Sequence, residues 1–158
     1  MSFDSRALRN AFGCFATGVT VVTTKPDGAD PIGITANSFS SVSLEPPLVL
    51  WCLDKGSDTL PIFEKTDNYA INVLSEEQTA LSNHYAKTGQ HSMIDDQWRT
   101  AKTGAPLIDG ALAHFDCALH ARHDAGDHII MVGRILHFES AGEGKPLIYA
   151  RGGYAGLV

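Results

Sequence analysis

Five hydroxyls and one carboxamide fall within the eleven residues 33–43: Thr35, Asn37, Ser38, Ser40, Ser41 and Ser43, with no charged side chain among them. Glu45 and the Pro46-Pro47 pair close this stretch, and the apolar run Leu48, Val49, Leu50, Trp51, Cys52, Leu53 follows it. An ordinary surface loop would carry Lys, Glu or Asp. A core strand would not bury so many hydroxyls without partners. Uncharged donors and acceptors between apolar strands suit a flat ligand with polar edges and apolar faces. The competing reading is an edge strand whose serines satisfy their own backbone. Composition alone leaves both open.

Other chemistries are excluded by what is missing. The sequence has no G-x-G-x-x-G after a strand and no G-x-x-x-x-G-K-[ST], so neither dinucleotide fingerprint nor P-loop is present. It has no G-x-S-x-G elbow for a serine hydrolase. His114, His120, His123 and His128 tempt a metal reading, but on a strand His114 and His120 stand roughly 20 Å apart and cannot share one ion. No metal site is expected.

A chain of 158 residues with 44% hydrophobic and 19% charged side chains is the size of one domain, spanning 1–158, with a sizeable core. A net charge of -6 argues against nucleic acid as a partner. Cys14, Cys52 and Cys117 fit no metal spacing and read as reduced thiols of a cytoplasmic protein. No apolar run approaches a membrane span, and residues 1–11 carry Asp4, Arg6 and Arg9 in place of an export signal.

The elements that must position the polar stretch can be read in order. Asp4 or Ser5 caps a first helix with Leu8, Ala11, Phe12 and Phe15 at helical spacing. Residues 19–24 are a β-branched strand, and the turn Lys25-Pro26-Asp27-Gly28 returns the chain as a hairpin through residues 32–39. After the strand 48–53, Asp58 caps a brief helix over 59–65, with Pro61 in its first turn. Residues 68–74 form a strand, and Ser75 to Gln78 is a capping box opening a helix that turns Leu81 and Tyr85 inward. Residues 89–106 lack periodicity, with Trp98 as their one large anchor. In residues 111–122, Ala113, Phe115, Cys117 and Leu119 share one face of a strand; His114, Asp116, His120 and Arg122 share the other. A long strand over 127–138 and a short one over 145–149 complete a mainly β fold with a few short helices, an antiparallel closed or nearly closed barrel.

Nearly the whole chain resembles the short-chain NAD(P)H:flavin reductases, the reductase components of two-component flavin-dependent monooxygenases. The likeness rests on Phe15-Ala16-Thr17-Gly18 with the strand that follows, and on Gly33-Ile34-Thr35-Ala36-Asn37-Ser38-Phe39 with Ser41-Val42-Ser43-Leu44 and Pro46-Pro47. It continues through Ile71-Asn72-Val73-Leu74-Ser75, Gln78, Leu81-Ser82, Gly126-Asp127-His128, Val132-Gly133-Arg134, Pro146-Leu147-Ile148-Tyr149 and Gly152-Gly153-Tyr154. Each motif is weak alone; their shared order is specific.

The resemblance implies a split β-barrel of FMN-binding, antiparallel Greek-key-like type, a homodimer, and a flavin-dependent monooxygenase as the partner that receives reduced flavin. It implies FMN or FAD as cofactor and NADH or NADPH as hydride donor. By motif, Thr35, Ala36, Asn37 and Ser38, with Ser41, line the ring. Cys52, Leu53, Asp54 and Lys55, with Ser57 and Thr59, face the ribityl chain and phosphate, and Ala86 and Lys87 reach toward phosphate or adenylate. His128 stands near flavin and nicotinamide as the one catalytic candidate, and Tyr154 covers a ring face. Read from the residues alone, His128 is an exposed strand end, and strand alternation does not make Asp127 its orienting partner. Ser57 reads equally as a turn residue and Tyr154 as C-terminal packing; Asn72 and Ser75 read as structural. The chain departs from the family at His84-Tyr85-Ala86-Lys87, where Phe-Ala and a short basic link are usual. A flavin-binding barrel without turnover, and a related barrel reducing a non-flavin substrate on tightly bound FMN, remain alternatives.

Overall fold

β-Branched and aromatic residues dominate the apolar runs, and in the computed structural model, which describes residues 3–157, they form a twisted antiparallel sheet around one core. Helix α1 (Ser5–Phe12) starts at Asp4, whose carboxylate accepts the Arg6 and Ala7 amides. The strands β1 (Thr17–Gly18), β2 (Thr20–Thr24), β3 (Ile32–Ala36), β4 (Ser40–Leu44) and β5 (Pro47–Asp54) follow. Next come α2 (Leu60–Phe63), β6 (Asn68–Val73), a 3-10 turn (Glu76–Gln78) and α3 (Thr79–Tyr85). Two short strands, β7 (Trp98–Thr100) and β8 (Pro106–Ile108), precede the long hairpin of β9 (Ala113–Ala125) and β10 (His128–Ser140). β11 (Ile148–Ala150) and β12 (Gly153–Ala155) end the chain's regular structure.

Seven strands form the main sheet in the order β3-β2-β6-β9-β10-β5-β4, while β1, β11 and β12 make a second sheet and β7 and β8 a flap. β3 and β4 are consecutive in sequence yet occupy the two opposite edges. Residues 37–39 therefore cross the place where the curled sheet fails to close. That seam is the split in the expected barrel, and the polar stretch runs along it.

The core packs Trp51 edge-on against Phe63 and Tyr69, with ring centroids 5.0 and 6.0 Å away. Val22, Val49, Leu53, Ile71 and Met131 fill around them. Gly133 is required here: a Cβ would lie 2.9 Å from Tyr69 Cζ and 3.0 Å from Cys117 Cβ, and would also strike the Tyr69 hydroxyl. Burial pushes the Cys117 thiol up to about 12. Asn72, expected to be structural, is completely buried and fully used: Nδ2 donates to Val21 O and Thr23 Oγ1, and Oδ1 accepts the Ile108 amide. The capping box at Ser75 and Gln78 forms as the sequence predicts.

The structure departs from the sequence pattern at several points. The hydrophobic spacing in α1 does not mark a buried face, because no residue of the helix is buried and Phe15 lies beyond its end. On the polar face of β9, His114 and Asp116 are both buried. The β7–β8 region covers them: His114 Nε2 lies 2.8 Å from Ile108 O, and Asp116 accepts the Thr103 amide and hydroxyl. Simple alternation also breaks at His120, which is left unpaired between Leu119↔Gly133 and Ala121↔Val132. Trp98 is only half-buried, opposite Ile108 on the flap.

Candidate functional site

Two contiguous cavities open along the seam. One, about 420 Å³, is walled by Thr35, Asn37, Ala86 and Tyr149 and floored by Ser82, Gly153 and Tyr154. The other, about 320 Å³, lies between Thr35, Asp54, Ser57, Asp58, Ala86 and His91. They share Thr35 and Ala86, so they are two lobes of one groove. Its size matches that of cofactor clefts.

Strand alternation decides which of the four consecutive residues at the end of β3 face this groove. Thr35 and Asn37 line it, whereas Ala36 packs against the core and Ser38 turns to β5. Of the four, Ala36 and Ser38 could therefore meet a ligand in this groove only through their backbone. The Thr35 hydroxyl donates to Ser82 O at 2.7 Å, which fixes α3 against the strand. The Asn37 carboxamide makes no hydrogen bond among the described residues and stands exposed in the first lobe. Ser38 Oγ accepts the Cys52 amide at 2.9 Å and reaches Cys52 O at 3.3 Å. Ser41 lies exposed on edge strand β4, outside both lobes. Part of the stretch therefore lines the groove and part follows the structural reading.

On the other wall, Asp54 and Ser57 line the second lobe. Leu53 points into the core and can meet a ligand only through its backbone. Cys52 is half-buried, its thiol raised by that burial. Lys55 is tied to the β9–β10 turn, donating to Gly126 O at 2.7 Å and pairing with Asp124. Buried Thr59 bonds Ser57 through their hydroxyls at 2.8 Å. Lys87 is exposed just past α3, and neither it nor Lys55 lines the groove.

His128 opens β10 directly opposite Asp54 in the β5–β10 register. Its Nδ1 lies 2.7 Å from Asp127 Oδ1, and that bond holds the Asp127 carboxyl below its usual range. Asp127 does orient the ring, because it sits in the turn before the strand, where alternation has no force. Tyr154 is anchored rather than loose: its hydroxyl bonds Ser82 Oγ at 2.7 Å and Asn83 Oδ1 at 3.0 Å, and its ring meets Tyr149 edge-on at 5.6 Å.

Sequence reasoning missed His91 and assigned Asp58 as a helix cap, a role it does not fill, since α2 starts after Thr59 with no side-chain cap and the Asp58 carboxylate turns to residues 89–91. His91 Nδ1 lies 3.0 Å from Gly33 O and Nε2 2.8 Å from Asp58 Oδ1, while Asp58 Oδ2 accepts the Gly89 amide at 2.7 Å. The Gly89 bond, then the His91 ring, lower the Asp58 carboxyl below its ordinary value. These contacts pin the aperiodic segment beside the second lobe. At the departure from the family pattern, Tyr85 is buried and its hydroxyl accepts the Ile94 amide at 3.2 Å. The substitution is absorbed by the same segment.

The groove suits a flavin on the chemistry of its donor set. It offers an unspent carboxamide, the outer edge of strand β3, an anchored tyrosine and apolar walls, with its carboxylates confined to one lobe.

Comparison with known proteins agrees. A model of the flavin reductase like domain matches residues 12–157. A probable flavin reductase of Rhizobium meliloti is 48% identical over 152 residues, covering 96% of this chain, which spans about half (49%) of that protein's length. An FMN reductase (NADH) of Agrobacterium fabrum is 47% identical over 152 residues, covering 96% of this chain and 85% of that one. Other relatives are reductase subunits of flavin-dependent monooxygenases. An NADH:FAD oxidoreductase of Streptomyces globisporus, solved with NAD and FAD fragments, superposes with a TM-score of 0.92 at 36% identity, covering all of this chain and 97% of that one. No helix among the described residues is long and apolar enough to cross a membrane. With a matching family model over nearly its full length and the seam groove where a flavin would lie, this chain belongs to the flavin reductase like domain family.

Proposed function

We propose that the chain is a single-domain NAD(P)H:flavin oxidoreductase that supplies reduced flavin to a flavin-dependent monooxygenase. When bound, FMN or FAD accepts a hydride from NADH or NADPH. The observation that carries this reading is the free Asn37 carboxamide in the lobe walled by Tyr149 and Tyr154, which meets at Thr35 and Ala86 a second lobe lined by Ser57 and Asp58. Neutral donors and acceptors hold a ring in both its redox states without favouring either by charge. Asn37 and the edge of β3 would hold the ring's polar edge, and Ser57 with its neighbours the ribityl phosphate. Tyr154, fixed by Ser82 and Asn83, limits access of water. His128, braced by Asp127, stands one strand from the groove and serves in placing the nicotinamide. No side chain need act as acid or base, so orientation and water exclusion are the protein's share of the work.

The chain works as a cytoplasmic homodimer in this reading. Supporting it are Leu44 (94% exposed), Val42, Leu136 and Phe138, apolar side chains left open at the β4 and β10 side of the sheet, and the free cysteines. Light scattering of the purified protein gives the oligomeric state directly.

The test is NADH and NADPH oxidation in air with FMN, FAD, riboflavin or no flavin. Oxidation that rises with added flavin and saturates supports the reductase. Flavin binding without oxidation of either donor would leave a flavin-binding module in its place, and tight retention of flavin through purification would favour direct reduction of another substrate.

A further inference from the structure

Residues 91–93 lie along β3, an edge strand of the main sheet. His91 O accepts the Gly33 amide at 2.8 Å, the Met93 amide donates to Pro31 O at 3.3 Å, and Ser92 bridges Ile32. The aperiodic segment therefore covers the start of that edge and stops two residues before Thr35, where the groove begins. From there the His91 side chain reaches Asp58, which lines the second lobe with it. One residue thus ties β3 to the turn before α2.

The two ring contacts fix the proton count of His91. Nδ1 lies 3.0 Å from Gly33 O and Nε2 2.8 Å from Asp58 Oδ1. Both oxygens accept only, because the Gly89 amide and then the ring itself hold the Asp58 carboxyl below its ordinary value and keep it ionised. A neutral imidazole has one donor and one acceptor nitrogen, so either neutral tautomer sets a lone pair against an oxygen. The doubly protonated ring donates to both. Its side chain is 12% exposed, which leaves water little room to stand in for either contact.

The lobe holds no other balancing charge. The ionisable residues that line it are Asp54, Asp58 and His91, and neither Lys nor Arg lines it. Around the ring, β3 brings Gly33, Ile34 and Thr35, none of them charged. The end of α3 brings His84, edge-on to Tyr85 at 4.8 Å, and Lys87, exposed outside the lobe. Burial pushes the Tyr85 hydroxyl up, so it stays neutral. Lys55 is spent on Asp124 and Gly126 O. Asp95 and Asp96, further along the His91 segment, are exposed.

We infer that His91 is a positioning residue that clasps the second lobe while doubly protonated, so that binding of a flavin's anionic tail, and not of its ring, is linked to a proton on His91. Protonated, the ring joins β3 to the turn before α2 and balances Asp58 beside Ser57. Neutral, it must release Gly33 O or Asp58, and it leaves two carboxylates unbalanced in front of a phosphate. Affinity for a phosphorylated flavin therefore falls as pH rises and His91 loses its second proton. The inference rests on the proposed placement of the flavin phosphate in this lobe.

Fluorescence-quenching titrations with FMN and with riboflavin test it across about pH 6 to 8.5, where imidazoles titrate. In wild-type protein the Kd for FMN should rise about tenfold over that range, the loss of one hydrogen bond to a charged group, while the Kd for riboflavin stays level. The phosphate of FMN itself gains charge near the low end, equally in every variant. His91→Gln should bind FMN weakly and lose the wild-type excess slope. His91→Arg, with two donor nitrogens at any pH, should bind FMN tightly and without that slope. The same slope in His91→Gln, or a riboflavin Kd that moves with that of FMN, would overturn the assignment.

A second readout needs neither variant nor flavin. NMR of the wild-type imidazole nitrogens should show both His91 nitrogens protonated at the low end and one at the high end. Exchange of the Gly33 amide, relative to its intrinsic rate, should accelerate over the same range. A single ring proton throughout removes the clasp. Proton-linked FMN binding in a protein that oxidises neither NADH nor NADPH keeps the clasp and removes the reductase reading.

Discussion

Ser38 stands opposite Cys52 where a ladder partner would be, accepting its amide at 2.9 Å and meeting its carbonyl at 3.3 Å. Backbone pairing between β4 and β5 runs only as far as Ser40↔Leu50, so the Ser38 side chain extends that ladder by one step. Its hydroxyl closes the foot of the seam and leaves Asn37, one residue before, free to face the groove.

Ser38→Ala should therefore read first as a stability change. Losing a half-buried hydroxyl that serves both backbone polar groups of one residue costs about 1–2 kcal/mol, visible as a lower urea midpoint. Flavin affinity should fall less than in Asn37→Ala, whose carboxamide has no structural partner to lose. The reverse ranking would show that Ser38, not Asn37, meets the ring.

Asp58 sets a pH dependence. Its carboxyl is depressed by the Gly89 amide and then by His91. A depressed folded value means that the anchoring of residues 89–91 is fully present above the ordinary carboxylate range near pH 4 and is lost as pH falls through the lower, folded value. Hydrogen exchange at the Gly89 amide should accelerate, relative to its intrinsic rate, in that acid window. Asp58→Asn should flatten the response by weakening the anchor at all pH values. An unchanged acid response in the variant would place its origin elsewhere.

Asn72 provides a test of the core. Asn72→Ala strips partners from Val21 O, Thr23 Oγ1 and the Ile108 amide together, and the buried groups left behind cost about 2–4 kcal/mol. A denaturation midpoint within error of wild type would mean that the interior can rearrange or admit water there.

Much of this was legible because it is local. β-Branching in residues 20–24, the capping box at Ser75 and the turn before Ile32 each depend on neighbours a few residues away, and each forms where the sequence predicts it. The chemistry of Thr35 and Asn37 marked them as groove residues, but strand alternation that sends Ala36 and Ser38 elsewhere is a statement about faces, which composition does not carry. His91 was not legible. Its partners, Gly33 and Asp58, are 58 and 33 residues away, and the segment around it has no periodicity to place it. The burial of His114 and Asp116 depends on a flap formed by residues 98–108, and the bulge at His120 on pairing with β10; neither leaves a mark in the strand's own pattern. Helical spacing of Leu8, Ala11 and Phe12 was visible, but no element packs over that face to bury it.

His128 separates placement of the donor from binding of the flavin. It faces Asp54 across the β5–β10 register, is braced by Asp127, and lines neither lobe of the groove. A residue so placed should contribute where a second molecule enters over a bound flavin, not to the flavin's own contacts. His128→Ala should raise the KM for NADH on the order of tenfold, about 1.4 kcal/mol, with little change in flavin Kd by fluorescence quenching. Asp127→Asn should give a smaller change in the same direction, because it loosens the ring without removing it. If flavin Kd and NADH KM rise together, His128 belongs to the flavin site; if neither moves, it is only the exposed first residue of β10.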